Sequence, residues 1–288
     1  MFNLILGILF FVIVLVLFKL FDRNKVDILQ AIVTNYLVAG TIGYISSNNQ
    51  LSIDEIFVLP WLPLASLIGI LFILVFNFLA FSTQKNGFAI STIANKMSVI
   101  LPVIASIYLY NESLTWLKSI GVLLALVGIV FSSLSKNKEL SFEKKYLSII
   151  LVIFIGQGIS DIIFNYVQHH YIDENTAPFF ISTIFLTAFI FGLIYLMTLA
   201  IMGKTKLRIK NVAWGIAVGI PNYLTVFYFF KALEENFLES SQIYPILNIG
   251  IILISTMIGL IFFKEKLSKL NWIGIIVSMV AIALIGLS

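Results

Sequence analysis

Lys96 and Asp161 are ionisable residues set inside long apolar runs, and each has polar company suited to holding a small solute. In STIANKMSVILPVIASIYLY, residues 91–110, Asn95 and Lys96 interrupt the run and Pro102 follows six residues later. Lys96 lies eight residues into its segment, about 12 Å deep at 1.5 Å per helical residue and near the middle of a bilayer. An ammonium at that depth can hold a substrate carboxylate or phosphate in a wet cavity, snorkel to the headgroups, or join a structural ion pair. In GQGISDIIFNYVQHH, residues 156–170, Gln157, Asp161, Asn165 and His169 recur every four residues and form one polar stripe on an apolar helix. Asp161 can bind a cation or a substrate amine, take up a proton, or wet the mouth of a cavity. His169 and His170 read as loop residues at the interface.

Two further segments begin polar and turn apolar. One holds Ser91, Thr92, Asn95, Lys96 and Ser98, the other Glu239, Ser240, Ser241, Gln242, Tyr244 and Asn248. Their prolines, Pro102 and Pro245, together with Pro221, each remove a backbone donor within a helix. A kink of this kind gives helices two ways to pack and a gate somewhere to bend. Asn35, Tyr36, Asn77, Asn222, Tyr223 and Tyr228 are buried polar candidates, each serving either an interhelical hydrogen bond or a ligand. Glu112 and Glu265 precede Thr115 and Ser268, which read as helix N-caps, so this acidic pair reads as structural.

The elements that position these residues follow from composition. The 288-residue chain is 60% hydrophobic and only 11% charged, with a mean hydropathy of +1.06, whereas a soluble domain carries about 25% charged residues. Apolar segments near 20 residues long recur throughout. They fall at about 3–20, 28–46, 57–80, 88–110, 115–134, 146–168, 177–200, 211–231, 238–262 and 269–287. Helix is the expected form of all ten, because only a helix satisfies its own backbone in lipid without closing a barrel. The N-terminus has neither a basic leader nor a small-residue cleavage site and reads as the first span. No cysteine is present, which removes disulfides and thiol chemistry, and no metal site or cofactor is expected. The net charge of +4 reads as a topology signal and not as a nucleic-acid surface, for 15 of the 18 basic residues lie in one alternating set of loops. The positive-inside rule makes that set cytoplasmic and places both termini outside.

The chain also resembles itself. YNESLTWLKSIGVLLALVGIV (110–130) lies over FKEKLSKLNWIGIIVSMVAIA (263–283) at an offset of 153. That offset places Glu112 on Glu265, Gly121 on Gly274, Asn95 on Asn248 and Trp61 on Trp214. Five spans per repeat is an odd number, so the halves enter the membrane in opposite directions, the inverted-repeat plan of secondary transporters with a site between the halves. The expected fold is an all-α integral membrane protein of ten transmembrane helices in two inverted five-helix repeats, 1–135 and 146–288, joined by a cytoplasmic linker at 136–145.

With its Glu-x-Leu-Ser/Thr turn and Ile-Gly helix closing each half, this plan resembles the drug/metabolite transporter superfamily, specifically its EamA-type members. A Trp-Gly pair in the first helix, part of that pattern, is absent. The resemblance implies a multi-pass carrier of the bacterial inner membrane, often an exporter of amino acids or other small metabolites. It also implies a central cavity lined by the third, fourth, eighth and ninth helices with the first and sixth. The expected partners are a small-molecule substrate, the lipid bilayer, a proton as coupling ion and a second copy in a homodimer. The candidate substrate-binding residues are Lys96, Asn95, Asp161, Asn165, Gln157, Asn77, Asn222, Tyr223, Tyr244 and Asn248, with Pro102, Pro221 and Pro245 as gating positions. A channel or a nontransporting subunit is the competing reading. An intramembrane enzyme is disfavoured, since GxSxG, HExxH and grouped acidic motifs are absent, as is a P-loop.

Overall fold

The computed structural model describes residues 2–47, 58–86, 88–109, 115–133, 144–172, 176–234 and 240–287. Helices account for nearly all of them. In chain order they are α1 (Phe2–Arg23), α2 (Ile28–Ser46), α3 (Leu62–Lys85), α4 (Phe88–Lys96), α5 (Ile100–Leu109), α6 (Trp116–Ser133), α7 (Lys144–Tyr171), α8 (Ala177–Ile201), α9 (Ile209–Glu234), α10 (Ser240–Ile261) and α11 (Lys269–Gly286). Each of the ten expected spans has its helix, the fourth being α4 and α5 joined by a 3₁₀ turn at Met97–Val99. Among the described residues, six helical segments, Phe2–Arg23, Ile28–Ser46, Leu62–Lys85, Leu147–Gln168, Ala177–Ile201 and Ile209–Ala232, are long and apolar enough to cross a membrane. The chain is a multi-pass membrane protein. Asp54, Glu55, Glu112, Asp173, Glu174, Glu239 and most of the 136–145 linker lie outside the described residues.

Local chemistry sets several helix ends. Asp27 caps α2, its Oδ1 accepting from Gln30 N at 3.1 Å, and prolines stand in the first turns of α3 and α8, where a missing N–H leaves no bond unmade. Ser268 Oγ caps α11 by accepting from Asn271 N, while Asn271 Oδ1 accepts from Ser268 N, a reciprocal capping box. Lys264 adopts a left-handed φ of 52° at the end of α10. The chain then turns so that Glu265 N donates to Gly259 O at 2.9 Å.

Between helices, close approach is made by small residues, as expected where lipid supplies no hydrophobic drive for association. A Cβ on Gly69 of α3 would stand 2.7 Å from the Ile184 carbonyl of α8, and one on Gly128 of α6 would collide with Ser278 Oγ of α11. Aromatic packing fills the centre: Tyr36, Phe18, Phe21 and Phe185 are fully buried. The Tyr36 hydroxyl donates to Phe72 O at 2.8 Å and ties α2 to α3. Outward faces such as Ile190, Ile194 and Ile201 of α8 are apolar and exposed, as a surface in contact with lipid would be.

Candidate functional site

The break between α4 and α5 builds one wall of a cavity. Pro102 has no N–H to give the Ser98 carbonyl four residues back, and its ring crowds that carbonyl. The ladder tightens into the 3₁₀ turn at Met97–Val99, so the distortion lies a turn before the proline and not at it. Lys96 is thereby the last residue of α4.

A ring of hydrogen bonds joins this break to α7. Asn95 Nδ2 donates to Gln157 Oε1 at 3.0 Å, and Gln157 Nε2 donates to Asp161 Oδ1 at 2.8 Å. Ser98 Oγ stands 3.4 Å from Asp161 Oδ2 and donates to Asn95 O at 2.6 Å. The shorter contact takes the hydroxyl proton, since one O–H has one to give. Lys96, half-buried, lays its Nζ 3.7 Å from the centre of the Phe11 ring of α1, a cation–π contact. The ammonium has no hydrogen-bond acceptor among the described residues. Lys96 and Asp161 line the same cavity, close enough for their charges to act on each other.

That cavity has a volume of about 140 Å³. Its polar lining is Asn95, Lys96, Ser98, Gln157, Asp161 and Asn165, with Asn222 and Thr225 from α9 and Asn248 from α10. The apolar lining adds Phe11, Phe72 and Phe76 of α3, Phe164 of α7, Phe229 of α9 and Leu247 of α10. All six spans expected around a central cavity contribute to it.

Not every expected residue is brought there. Asn77 donates to the carbonyl of Ile73 in its own helix at 2.6 Å, and Tyr223 is buried and stacked on Phe227; neither lines the cavity. Asn222 reaches it while donating to Asn35 Oδ1 at 3.1 Å. Pro221 lies inside a continuous α9 and its carbonyl accepts from Thr225 Oγ1. Tyr244 and Pro245 lie in the first turns of α10, with side chains outside the described set. His169 and His170 belong to the last turn of α7 and not to a loop; the exposed His170 ring stacks on Tyr166 at 4.4 Å. The phenylalanine lining was missed by sequence reasoning, since nothing in a run of Phe separates a cavity face from a lipid face.

A second polar cluster joins helix ends. Lys19 Nζ donates to Glu265 Oε1 at 3.0 Å and to Thr83 O at 2.8 Å. Glu265 Oε1 also accepts from Phe88 N, the first residue of α4, at 2.7 Å. Glu265 therefore caps α4 from across the bundle, and Lys19, expected at a loop edge, lies within α1.

No family model matches this chain. Over 288 residues it is 29% identical to an uncharacterized protein of Haemophilus influenzae, covering 98% of this chain and 96% of that one. A shorter stretch of 50 residues is 48% identical to the "Probable 4-amino-4-deoxy-L-arabinose-phosphoundecaprenol flippase subunit ArnE" of Hamiltonella defensa, covering 17% of this chain and 44% of that protein. Among solved structures, one crystal structure shares the fold, with a TM-score of 0.59 over 96% of this chain and 95% of its own at 15% identity.

Proposed function

We propose that this protein is a secondary transporter of the drug/metabolite kind, carrying a small metabolite, an amino acid or related compound, across the bacterial inner membrane by alternating access. The observation that carries this reading is the Lys96 ammonium, set inside the bundle, facing a cavity and lacking a hydrogen-bond acceptor of its own. An unpaired charge within a membrane is costly and marks a substrate or ion path. Lys96 is the anchor for the substrate's anionic group. Asp161, held by Gln157 on the same wall, is the site for a coupling proton.

Packing supports two repeats over 1–135 and 146–288. α6 lies against α11, its partner at an offset of 153; α1 packs on α9 as α7 packs on α3, and α2 packs on α9 as α8 packs on α3. Exchanging the halves returns the α6–α11 contact to itself and interconverts the members of each of the other two pairs. With an odd number of spans per repeat and both termini outside, such a plan gives the bundle two packings of equal kind, one open to each side.

The stretch similar to a flippase subunit favours a second reading, in which the moved group is the phosphate-bearing head of a lipid carrier. Counterflow in proteoliposomes separates the two. Vesicles loaded with unlabelled amino acids and organic acids are expected to show saturable uptake of at least one labelled member. Lys96→Ala is expected to abolish that uptake while eluting and melting as the wild type does. Absence of saturable counterflow for every soluble compound, with transbilayer movement of a phosphate-bearing lipid, would replace the first reading with the second.

A further inference from the structure

Most polar groups facing the cavity already have partners within the protein. Gln157 uses both ends of its amide, Asn95 Nδ2 and the Ser98 hydroxyl are engaged, Thr225 donates to Pro221 O, and Asn222 Nδ2 donates to Asn35. Two lining side chains make no hydrogen bond among the described residues: Lys96 and Asn248. They stand on α4 and α10, and Asn248 is the residue that the 153-residue offset places on Asn95, the neighbour of Lys96. Asn95 Oδ1 is also without a partner, but as an acceptor it has nothing to give an anion; one cation and one amide N–H donor are therefore left for an anionic ligand. The lining also includes five phenylalanine side chains: Phe11, Phe72, Phe76, Phe164 and Phe229. Phenyl walls offer a ligand ring-edge and ring-face contacts but no hydrogen bonds.

Resting on the reading of this cavity as the substrate site, we infer that its ligand is a compact monocarboxylate with an apolar or aromatic body, its carboxylate held by Lys96 and Asn248 and its body against the phenylalanines. A sugar or polyol would leave hydroxyls facing phenyl rings and lose their water without replacement. A dianion such as a phosphate monoester would meet a single ammonium with the Asp161 carboxylate in the same space, and the second negative charge would find only repulsion. The cavity's volume of about 140 Å³ suits a body of one ring, since an apolar protein cavity of about 150 Å³ takes up benzene. Lys96 gains a charge-assisted hydrogen bond in the complex, stronger than its contact with Phe11.

Binding of three probes to the detergent-purified protein, read by thermal shift and titration calorimetry, tests this. Benzoate is the predicted ligand type, benzamide has the same body without the charge, and glycerate has the charge on a hydroxyl-rich body. Benzoate is expected to raise the midpoint by mass action, at least about tenfold more tightly than either of the others. Lys96→Gln is expected to abolish that preference over benzamide, Lys96→Arg to keep part of it, and Asn248→Ala to weaken benzoate severalfold. Glycerate or benzamide binding as tightly as benzoate overturns the inference, as does benzoate without effect at millimolar concentration; neither comparison depends on a variant folding. Flux in proteoliposomes is measured separately. Benzoate binding without any saturable flux would remove the transporter reading and leave the ligand assignment standing. Saturable flux of polyols or phosphate esters, with benzoate inert, would do the reverse.

Discussion

Lys19 and Lys96 are both lysines inside the helical bundle with a carboxylate nearby, and their surroundings are opposite. Lys19 contacts Glu265 at 3.0 Å, holds a backbone carbonyl as well, and its partner caps a helix; Lys96 rests on a phenyl ring and shares a cavity lining with Asp161. A charge used for folding is surrounded by groups that replace its water, as the cost of an unpaired charge demands. A charge used for a ligand has that replacement withheld until the ligand arrives. Asp161 falls between the two, since Gln157 and Ser98 face its oxygens while the carboxylate still borders open space.

The comparison can be broken from either side, and the largest effect is expected at the helix ends. Glu265→Ala removes the partner of Lys19 and the acceptor of Phe88 N together. It should destabilise the protein by about 3 kcal/mol or more, seen as a fall in thermal midpoint with or without ligand. Lys96→Met should do the converse: the midpoint without ligand stays or rises, because a buried ammonium with no hydrogen-bond acceptor is replaced by an apolar chain of similar length. Affinity for a carboxylate ligand falls by about 2–3 kcal/mol, the worth of a hydrogen bond to a charged group. Equal midpoint losses in the two variants would erase the distinction.

Asp161→Asn sharpens the intermediate case. The amide keeps a carbonyl for Gln157 while losing the proton-accepting charge, so exchange of substrate should persist and acceleration by an imposed proton gradient should vanish. A variant still driven by the gradient would place the coupling proton elsewhere. Pro102→Ala restores the N–H toward Ser98 O and lets the 3₁₀ turn relax to α-helix; ligand affinity should change by less than about 1 kcal/mol while the transport rate falls severalfold. The smallest effect is expected at Lys264, whose left-handed backbone costs a non-glycine residue about 1 kcal/mol. Lys264→Gly should raise the midpoint by a few degrees and leave transport unchanged.

The helices were legible because each is a local property: a long apolar run with charged ends is a helix wherever it packs. Lys96 and the α7 stripe were legible for the same reason, as polar residues where apolar ones belong. Glu265 was read as belonging to its own turn, whereas its acceptor role joins Phe88 across 177 positions, a distance over which spacing carries no information. Asn77 looked like a ligand candidate from its type, but a short side chain can turn back on its own helix carbonyl. The break in the fourth span was foreseen at Pro102, while sterics displaced it to Met97–Val99. The phenylalanine walls were illegible in principle, since lipid and an aromatic substrate select the same side chain.

The most direct test of the account is a thermal-shift screen of the purified protein against amino acids, organic acids, nucleotides and sugars, run on the wild type and on Lys96→Ala. The account predicts that one or more carboxylates raise the wild-type midpoint and leave that of the variant unmoved. A carboxylate that stabilises both proteins equally, or a screen in which only uncharged compounds bind, would contradict the role given to Lys96.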